Sequence, residues 1–401
     1  MSRRSYNVLM IAPTPFFADY GCHVRILEEA RILQKLGHRV VICAYPSGGD
    51  VPGLTIERVW DTQREDVQVG ATASASYKIR CDVLLFFKSL QVIRRFKPDI
   101  IHAHLHEGAL IGYLLGILRR TPLIFDFQGS LTDEMVNHRF LRRDGPFYRL
   151  MRGAEWLIDH MPKAIITNSR HAADLLTEEF GCDDGRIHVV PDCVNCDVFR
   201  PWWEWGADER AALKAQLGIP PDRRVVIYLG LLAEYQGIRH LLQAARHLIG
   251  SHSNELHFLI MGYPGEDYYR AVARDLGLAE HITFTGRIPY DEAPRYLAAG
   301  DVAVAPKLSA TEGSGKILTY MALGLPTVAF DVPVSREYLG DLGVYAEAGD
   351  PLSLAEAIES LLSDEEKAAA LGRRLREQAM RDYSWERAGE RILGIYDSLC
   401  R

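Results

Sequence analysis

Residues 305–350 read APKLSATEGSGKILTYMALGLPTVAFDVPVSREYLGDLGVYAEAGD. The run just before, DVAVAP at 301–306, is short and apolar and is closed by Pro306, the pattern of a buried strand. Gly313, Ser314 and Gly315 then lead into Lys316 and a helical pattern, KILTYMALG, which Gly324-Leu325-Pro326 stops. TVAF at 327–330 reads as the next buried strand. Strand, glycine-rich loop, helix and strand in this order make one unit of a parallel α/β sheet. Exposed backbone amides running into a helix N-terminus favour an anion, and Lys316 adds a full positive charge, so the segment predicts a seat for a phosphate-bearing substrate. It is not a P-loop: Ala310 stands where the first glycine is required, and Ile317 follows the lysine in place of Ser or Thr.

The same rhythm extends in both directions. Asn7–Ala12, Val40–Ala44, Asp99–His102, Leu123–Phe127, Ala164–Asn168 and Ile187–Val190 read as buried strands, with an amphipathic helix at Val24–Leu36. The pattern restarts at Val225–Leu229 and continues through His257–Met261, Ile282–Phe284 and Asp301–Ala305. Between the halves, FRPWWEWGADERAALKAQLGIPPDRR combines prolines, a tryptophan cluster and a charged helical piece, and reads as a linker near Pro201. Two doubly wound domains are expected, with ligands at the carboxyl ends of their strands.

Composition narrows the function. The 401 residues suffice for two ordinary domains, and 25% charged with 48% hydrophobic residues is normal for a globular chain. A net charge of −7 argues against a nucleic-acid partner. No apolar run approaches the roughly 20 residues that span a bilayer, and MSRRSYNVLMIAP reads as a first strand rather than a secretion signal. Seven scattered cysteines, with Cys193 and Cys196 the one close pair, suggest reduced thiols and a cytoplasmic setting.

Several segments, in order, resemble the retaining GT-B glycosyltransferases of family 4 (glycosyltransferase group 1): the Gly21 loop with LEEARILQKLGHRVVI, PDIIHAH, VVPDCVNCDVFRP, YLGLLAEYQGIRHLLQA, FTGRIP, GSGKILTYMALGLPTV and the SWERA tail. The resemblance implies two Rossmann-like domains facing a central cleft. Residues 1–200 would bind the acceptor, 201–381 would bind a nucleotide-sugar donor, and 382–401 would form a helix crossing back to the first domain. It further implies transfer of a hexose, with retention, from a nucleoside-diphosphate sugar to a hydroxyl of a glycan, glycolipid or lipid-linked acceptor, without cofactor or bound metal. A nucleotide-sugar epimerase or phosphorylase of the same fold is the alternative enzyme, and a catalytically silent partner subunit the alternative outside enzymology.

On the resemblance, Lys316 would neutralise the leaving diphosphate and Glu312 would hold the donor sugar. Gly21, Gly230, Gly313, Ser314 and Gly315 would supply loop contacts, and Arg287 and Ile288 would lie beside the nucleotide base. The chain departs from the family at Leu231 and Gln236, where members carry Arg and Lys, and at Thr319, where many carry Glu. Gln128 stands where a His is common, before Gly129 and Ser130, with Asp126 at the same strand end; a glutamine cannot act as a base. Front-face attack, in which the departing diphosphate takes the acceptor's proton, needs no protein base.

His102, His104 and His106 alternate, which at a strand end would put them on one face. No carboxylate set accompanies them in sequence, so no metal site is expected; His104 and Glu107 are expected to line the acceptor side. Arg139–Trp156 (RFLRRDGPFYRLMRGAEW) interleaves five arginines with aromatic and aliphatic residues. That pattern suits peripheral contact with the inner face of the cytoplasmic membrane or a lipid-linked acceptor, and equally suits a solvated helix whose apolar side packs inward. Tyr77–Lys97 carries the same ambiguity.

Overall fold

The computed structural model describes residues 4–17, 21–60, 75–137, 140–252, 255–308 and 313–400. The chain divides into two compact units, Met1–Pro191 with Trp385–Arg401, and Asp192–Ser384.

In the first unit β1 (Asn7–Ala12), β2 (Arg39–Ala44), β3 (Thr55–Arg58), β4 (Ile100–His104), β5 (Leu123–Phe127), β6 (Ala164–Thr167) and β7 (Ile187–Val189) form one parallel sheet. Its order is β3-β2-β1-β4-β5-β6-β7. Helices α1 (Gly21–Lys35), α2 (Ala75–Phe96), α3 (Leu105–Arg119), α4 (Leu131–Asn137) and α5 (Pro146–Asp159) lie in the crossovers. The central strands are buried along nearly their whole length because helices cover both faces, and their buried polar residues, His102, His104 and Asp126, lie from the middle of the strand toward its carboxyl end.

The C-terminal helix, Trp385–Leu399, packs on α1. Gly389 makes this possible: a Cβ there would fall 2.7 Å from Ile32 Cγ1 and 2.8 Å from Leu36 Cδ1. Ile392, Leu393 and Tyr396 are buried beside it, each burial stabilising by roughly 1.5–3 kcal/mol, and the Tyr6 hydroxyl donates to Asp397 at 2.6 Å.

The second unit holds β8 (Arg224–Leu229), β9 (Leu256–Met261), β10 (Ile282–Gly286), β11 (Val302–Ala305), β12 (Thr327–Phe330) and β13 (Val344–Ala346), again all parallel. The order is β10-β9-β8-β11-β12-β13. The tryptophan segment belongs to this unit. Trp202 N–H donates to Leu323 C=O at 2.9 Å, and the Trp203 ring lies over Gly324, where a Cβ would sit 2.3 Å from ring carbon Cζ3. Gly324, at φ +69°, thus ends its helix and makes room for the indole.

One local reading changes, and one strand has no counterpart in the sequence reading. Strand β4 continues to His104, and His106 lies in α3, so only His102 and His104 share a strand face. β3, whose TIER sequence has no apolar run, pairs at the sheet edge where full burial is not required.

Candidate active site

The strand order of each sheet reverses once, between β1 and β4 and between β8 and β11. Loops leaving the carboxyl ends of such a strand pair diverge and open a crevice, the usual ligand position in these sheets.

In the second unit that point is occupied by Lys316, the second residue of helix Gly315–Ala322. Its Nζ donates to Gln236 Oε1 at 2.9 Å and to the Tyr228 hydroxyl at 3.2 Å, and lies 4.3 Å from the Tyr228 ring centroid. The approach depends on Gly230, at φ +148° just past β8, where a Cβ would stand 2.6 Å from Nζ. Gly262 and Gly237 tighten the same place: a Cβ on the first would meet Gly230 O at 1.9 Å, and on the second Pro306 O at 1.8 Å. Three loops can meet here because their backbones touch without side chains between them. Burial holds the Tyr228 hydroxyl well above its ordinary pKa, so it stays protonated and donates to Leu231 C=O at 2.7 Å.

The neighbouring expected donor residues are brought to the same end of the sheet. Gly313 C=O accepts from the buried Lys307 Nζ at 2.8 Å. Ser314 is buried, and its hydroxyl makes no hydrogen bond among the described residues. Thr319 turns its hydroxyl back onto Lys316 C=O at 2.7 Å. Arg287 is exposed and lies over the Tyr263 ring at 5.6 Å, while Ile288 is half-buried against the core. Glu312 lies outside the described residues.

The first unit fills its strand ends differently. Asp126, fully buried at the end of β5, accepts from Arg25 Nε at 3.0 Å, from Gln128 Nε2 at 2.7 Å and from His104 Nδ1 at 2.9 Å. Burial alone would raise its pKa, but the Arg25 guanidinium, with His104, holds the carboxyl well below the usual range. An ionised Asp126 fixes the His104 proton on Nδ1, leaving Nε2, which has no hydrogen-bond partner among the described residues. His104 is itself fully buried and stacks on His102 at 4.8 Å between centroids. His102 Nδ1 accepts from Tyr396 of the C-terminal helix at 2.8 Å, since burial keeps that hydroxyl protonated.

Gln128 is half-buried, and Ser130 is buried as a cap whose Oγ accepts from Asp133 N–H at 3.2 Å. Gly129 lies between them. Glu107 pairs with Lys78; burial raises its pKa, but Lys78 outweighs this and lowers it. Gly21 opens α1 at φ +35°, with nothing within 4 Å of where a Cβ would stand.

The histidines do have carboxylates around them, contrary to the sequence expectation. Ligand-capable atoms of Glu29, His102 and His104 lie within 4.8 Å of one another, as do those of His106, Glu155 and Asp159. These carboxylates come from distant helices and are invisible to spacing. Two of these carboxylates are engaged structurally: Glu29 pairs with Arg25 at 3.1 Å, and Glu155 caps a helix by accepting the Leu131 and Thr132 amides at 2.8 and 3.1 Å. His106 lies 3.4 Å from Asp159; burial would lower the imidazole pKa, but Asp159 raises it.

Sequence reading missed Tyr228, Arg25 and Glu29. Arg25 and Glu29, four residues apart on α1, look like a solvent-facing helix pair; only the tertiary partner at Asp126 distinguishes them.

Two doubly wound units, one with a lysine and a helix N-terminus at its switch point, place the chain among the two-domain Rossmann-like proteins and leave a position suited to an anion. Comparison with known proteins gives the family. Residues 21–198 match Glycosyltransferase Family 4 and residues 209–378 match Glycosyl transferases group 1. The chain belongs to the group 1 glycosyltransferases and has the GT-B fold. It is 26% identical over 397 residues to D-inositol 3-phosphate glycosyltransferase 1 of Catenulispora acidiphila, covering 94% of this chain and 90% of that one. In fold it is similar to sucrose-phosphate synthase from Thermosynechococcus elongatus, with a TM-score of 0.81, 18% identity and 99% of both chains covered. It is also similar to HepE of Anabaena in complex with UDP, with a TM-score of 0.76, 16% identity and coverage of 98% of this chain and 100% of that one.

Proposed function

We propose that this glycosyltransferase moves a hexose from a nucleoside-diphosphate sugar to a hydroxyl acceptor, with retention of the anomeric configuration and without a bound metal. The observation that carries this is the placement of Lys316 at a helix N-terminus, over Gly230, at the switch point of the second sheet. A diphosphate seated there would meet the lysine charge, the free amides of Gly315 and its neighbours, and the buried Ser314 hydroxyl. Gln236 and Tyr228 aim the lysine in place of the family's second cation. On the family resemblance Glu312, outside the described residues, would hold the sugar, Thr319 would take part at the ribose or phosphate once its hydroxyl leaves Lys316 C=O, and Arg287 and Ile288 would lie beside the base. UDP, which HepE binds, is the first nucleotide to test.

The acceptor belongs to the first unit, with Gln128, Gly129 and Ser130 beside it and His104 and Asp126 positioning Gln128 from beneath. In the reaction the sugar C1–O bond to the diphosphate breaks and a C1–O bond to the acceptor forms on the same face. The acceptor's proton passes to the departing diphosphate oxygen, so no protein base is needed. Lys316 and the loop amides supply the positive charge that stabilises the leaving group. The odd number and wide scatter of the seven cysteines agree with a cytoplasmic setting.

The test is a thermal-shift panel of nucleotides and nucleotide sugars on the wild type and Lys316→Ala. One diphosphate sugar should raise the wild-type midpoint and leave the variant unmoved. Turnover in the variant should fall roughly 10²–10³-fold, the effect of removing one charge-stabilising donor. Acceptor-free conversion of the donor would identify an epimerase, and a panel without any shift would identify a silent subunit. Loss of turnover in chelator, or a product of inverted configuration, would overturn that part of the reading.

A further inference from the structure

The outward face of one helical layer in the first unit is apolar. Helices α2, α3 and α5 follow β3, β4 and β5, whose crossovers step the same way along the sheet and so leave their helices on one side. Helix α2 packs on α3, and α3 on α5. Outer faces of such helices are normally polar. Here α2 presents Ile79, Val83 and Phe87, spaced four apart and each more than half exposed. Its neighbour α3 presents Leu114, Ile117 and Leu118, and α5 presents Phe147, Leu150 and Leu157, with Leu150 68% exposed. These are three stripes at helical spacing on three adjacent helices, so they form a patch rather than scattered residues.

The charge on this face has one sign. Arg94, Arg119 and Arg149 are exposed among the apolar stripes, and no Asp or Glu of the three helices is exposed among the described residues. In a chain of net charge −7, that bias selects a partner. A second copy docking by two-fold symmetry would set these arginines against each other with no carboxylate to receive them. An anionic lipid surface satisfies both features: acyl chains accept the apolar stripe and headgroup phosphates accept the arginines.

We infer that the α2–α3–α5 face docks the enzyme on an anionic bilayer. The inference uses no residue of the donor seat and deepens the proposed acceptor class toward lipid-borne hydroxyls. The full chain is sedimented with vesicles of phosphatidylcholine alone and of phosphatidylcholine mixed with phosphatidylglycerol. Binding is expected to the mixed vesicles only and to weaken with salt. The triple variant Phe87→Glu, Leu114→Glu, Leu150→Glu should abolish it. Arg119→Gln and Arg149→Gln should each raise the lipid concentration for half-binding roughly fivefold, about 1 kcal/mol apiece. Nucleotide-sugar thermal shift on the same variants should be unchanged, which shows that they are folded and separates this test from that of the donor seat. Absence of binding to mixed vesicles, binding that the triple variant retains, or a solution dimer that the triple variant splits would each overturn the inference.

Discussion

The two sheets share a topology, yet their switch points are furnished oppositely. At β8 and β11 the chain brings glycines together, so that one lysine, one hydroxyl and several amides stand around a place lined by backbone. At the first unit's switch point the helix after β1 and the ends of β4 and neighbouring β5 are packed with charged groups set against one another: Arg25, Glu29, His104 and Asp126 are all buried. The first arrangement leaves polar capacity for a ligand, and the second consumes most of it internally, His104 Nε2 being an exception among the described residues. Parallel strand ends therefore dictate where chemistry can be placed but not whether it faces a ligand or the core.

The comparison breaks most visibly at Asp126. Asp126→Asn would leave the buried Arg25 guanidinium with Glu29 as its counter-charge and weaken the charge-assisted hydrogen bonds from Arg25 and His104, a change expected to destabilise the first unit by about 1.5–3 kcal/mol. The measurement is urea unfolding, paired with nucleotide-sugar affinity of the folded variant. Stability should drop while donor affinity holds, because the network lies wholly in the first unit. A loss below about 0.5 kcal/mol would mean that the network is not what orders these strand ends.

Gly230→Ala sharpens the other side. At φ +148° any side chain is strained by about 1–3 kcal/mol, and the new methyl falls 2.6 Å from Lys316 Nζ. The lysine is flexible and will move aside, so the fold should survive with a modestly lowered midpoint. Donor affinity should fall about tenfold, because the displaced ammonium no longer points where Gln236 and Tyr228 aim it. Titration calorimetry with the nucleotide sugar found by the panel decides it; unchanged affinity would place the diphosphate elsewhere.

What the sequence discloses follows the same division. The donor-side seat is local: Gly313 to Lys316 adjoin a strand and a helix, so loop, dipole and charge are all legible in one stretch. Its aiming residues are less so, since Tyr228 sits inside an apolar strand and reads as core. The first unit's network is illegible because its bonds span long separations: Arg25 meets Asp126 across 101 positions, and Tyr396 reaches His102 across 294. Charges on α1 look solvated until the strand that receives them is in place. The apolar stripe of α5 left two readings open, core or surface, and exposure alone separates them.

The smallest expected effect is a slope. Burial, reinforced by His104 and Arg25, pushes the His102 imidazole down from 6.5 to about 3 against the opposing pull of Asp126. Between those values the unfolded chain binds a proton that the folded chain does not. The His102 contribution to stability therefore rises with pH through this window and is lost as pH falls from about 6.5 toward 3, by up to roughly 1.4 kcal/mol per pH unit. Asp82 acts with the opposite sign over part of the range: burial raises it from 3.8 to about 6, so the folded chain holds its proton longer. The wild-type slope thus mixes the two, and the difference between wild type and His102→Gln isolates one. Gln can still accept from the Tyr396 hydroxyl but cannot titrate, so the variant should lose stability less steeply on acidification. Urea midpoints measured from about pH 4 to about pH 6.5 give both slopes. Parallel lines would mean that His102 is protonated in the folded chain, and that the interior of the first unit is closer to the solvated, ligand-ready state of the second than its burial implies.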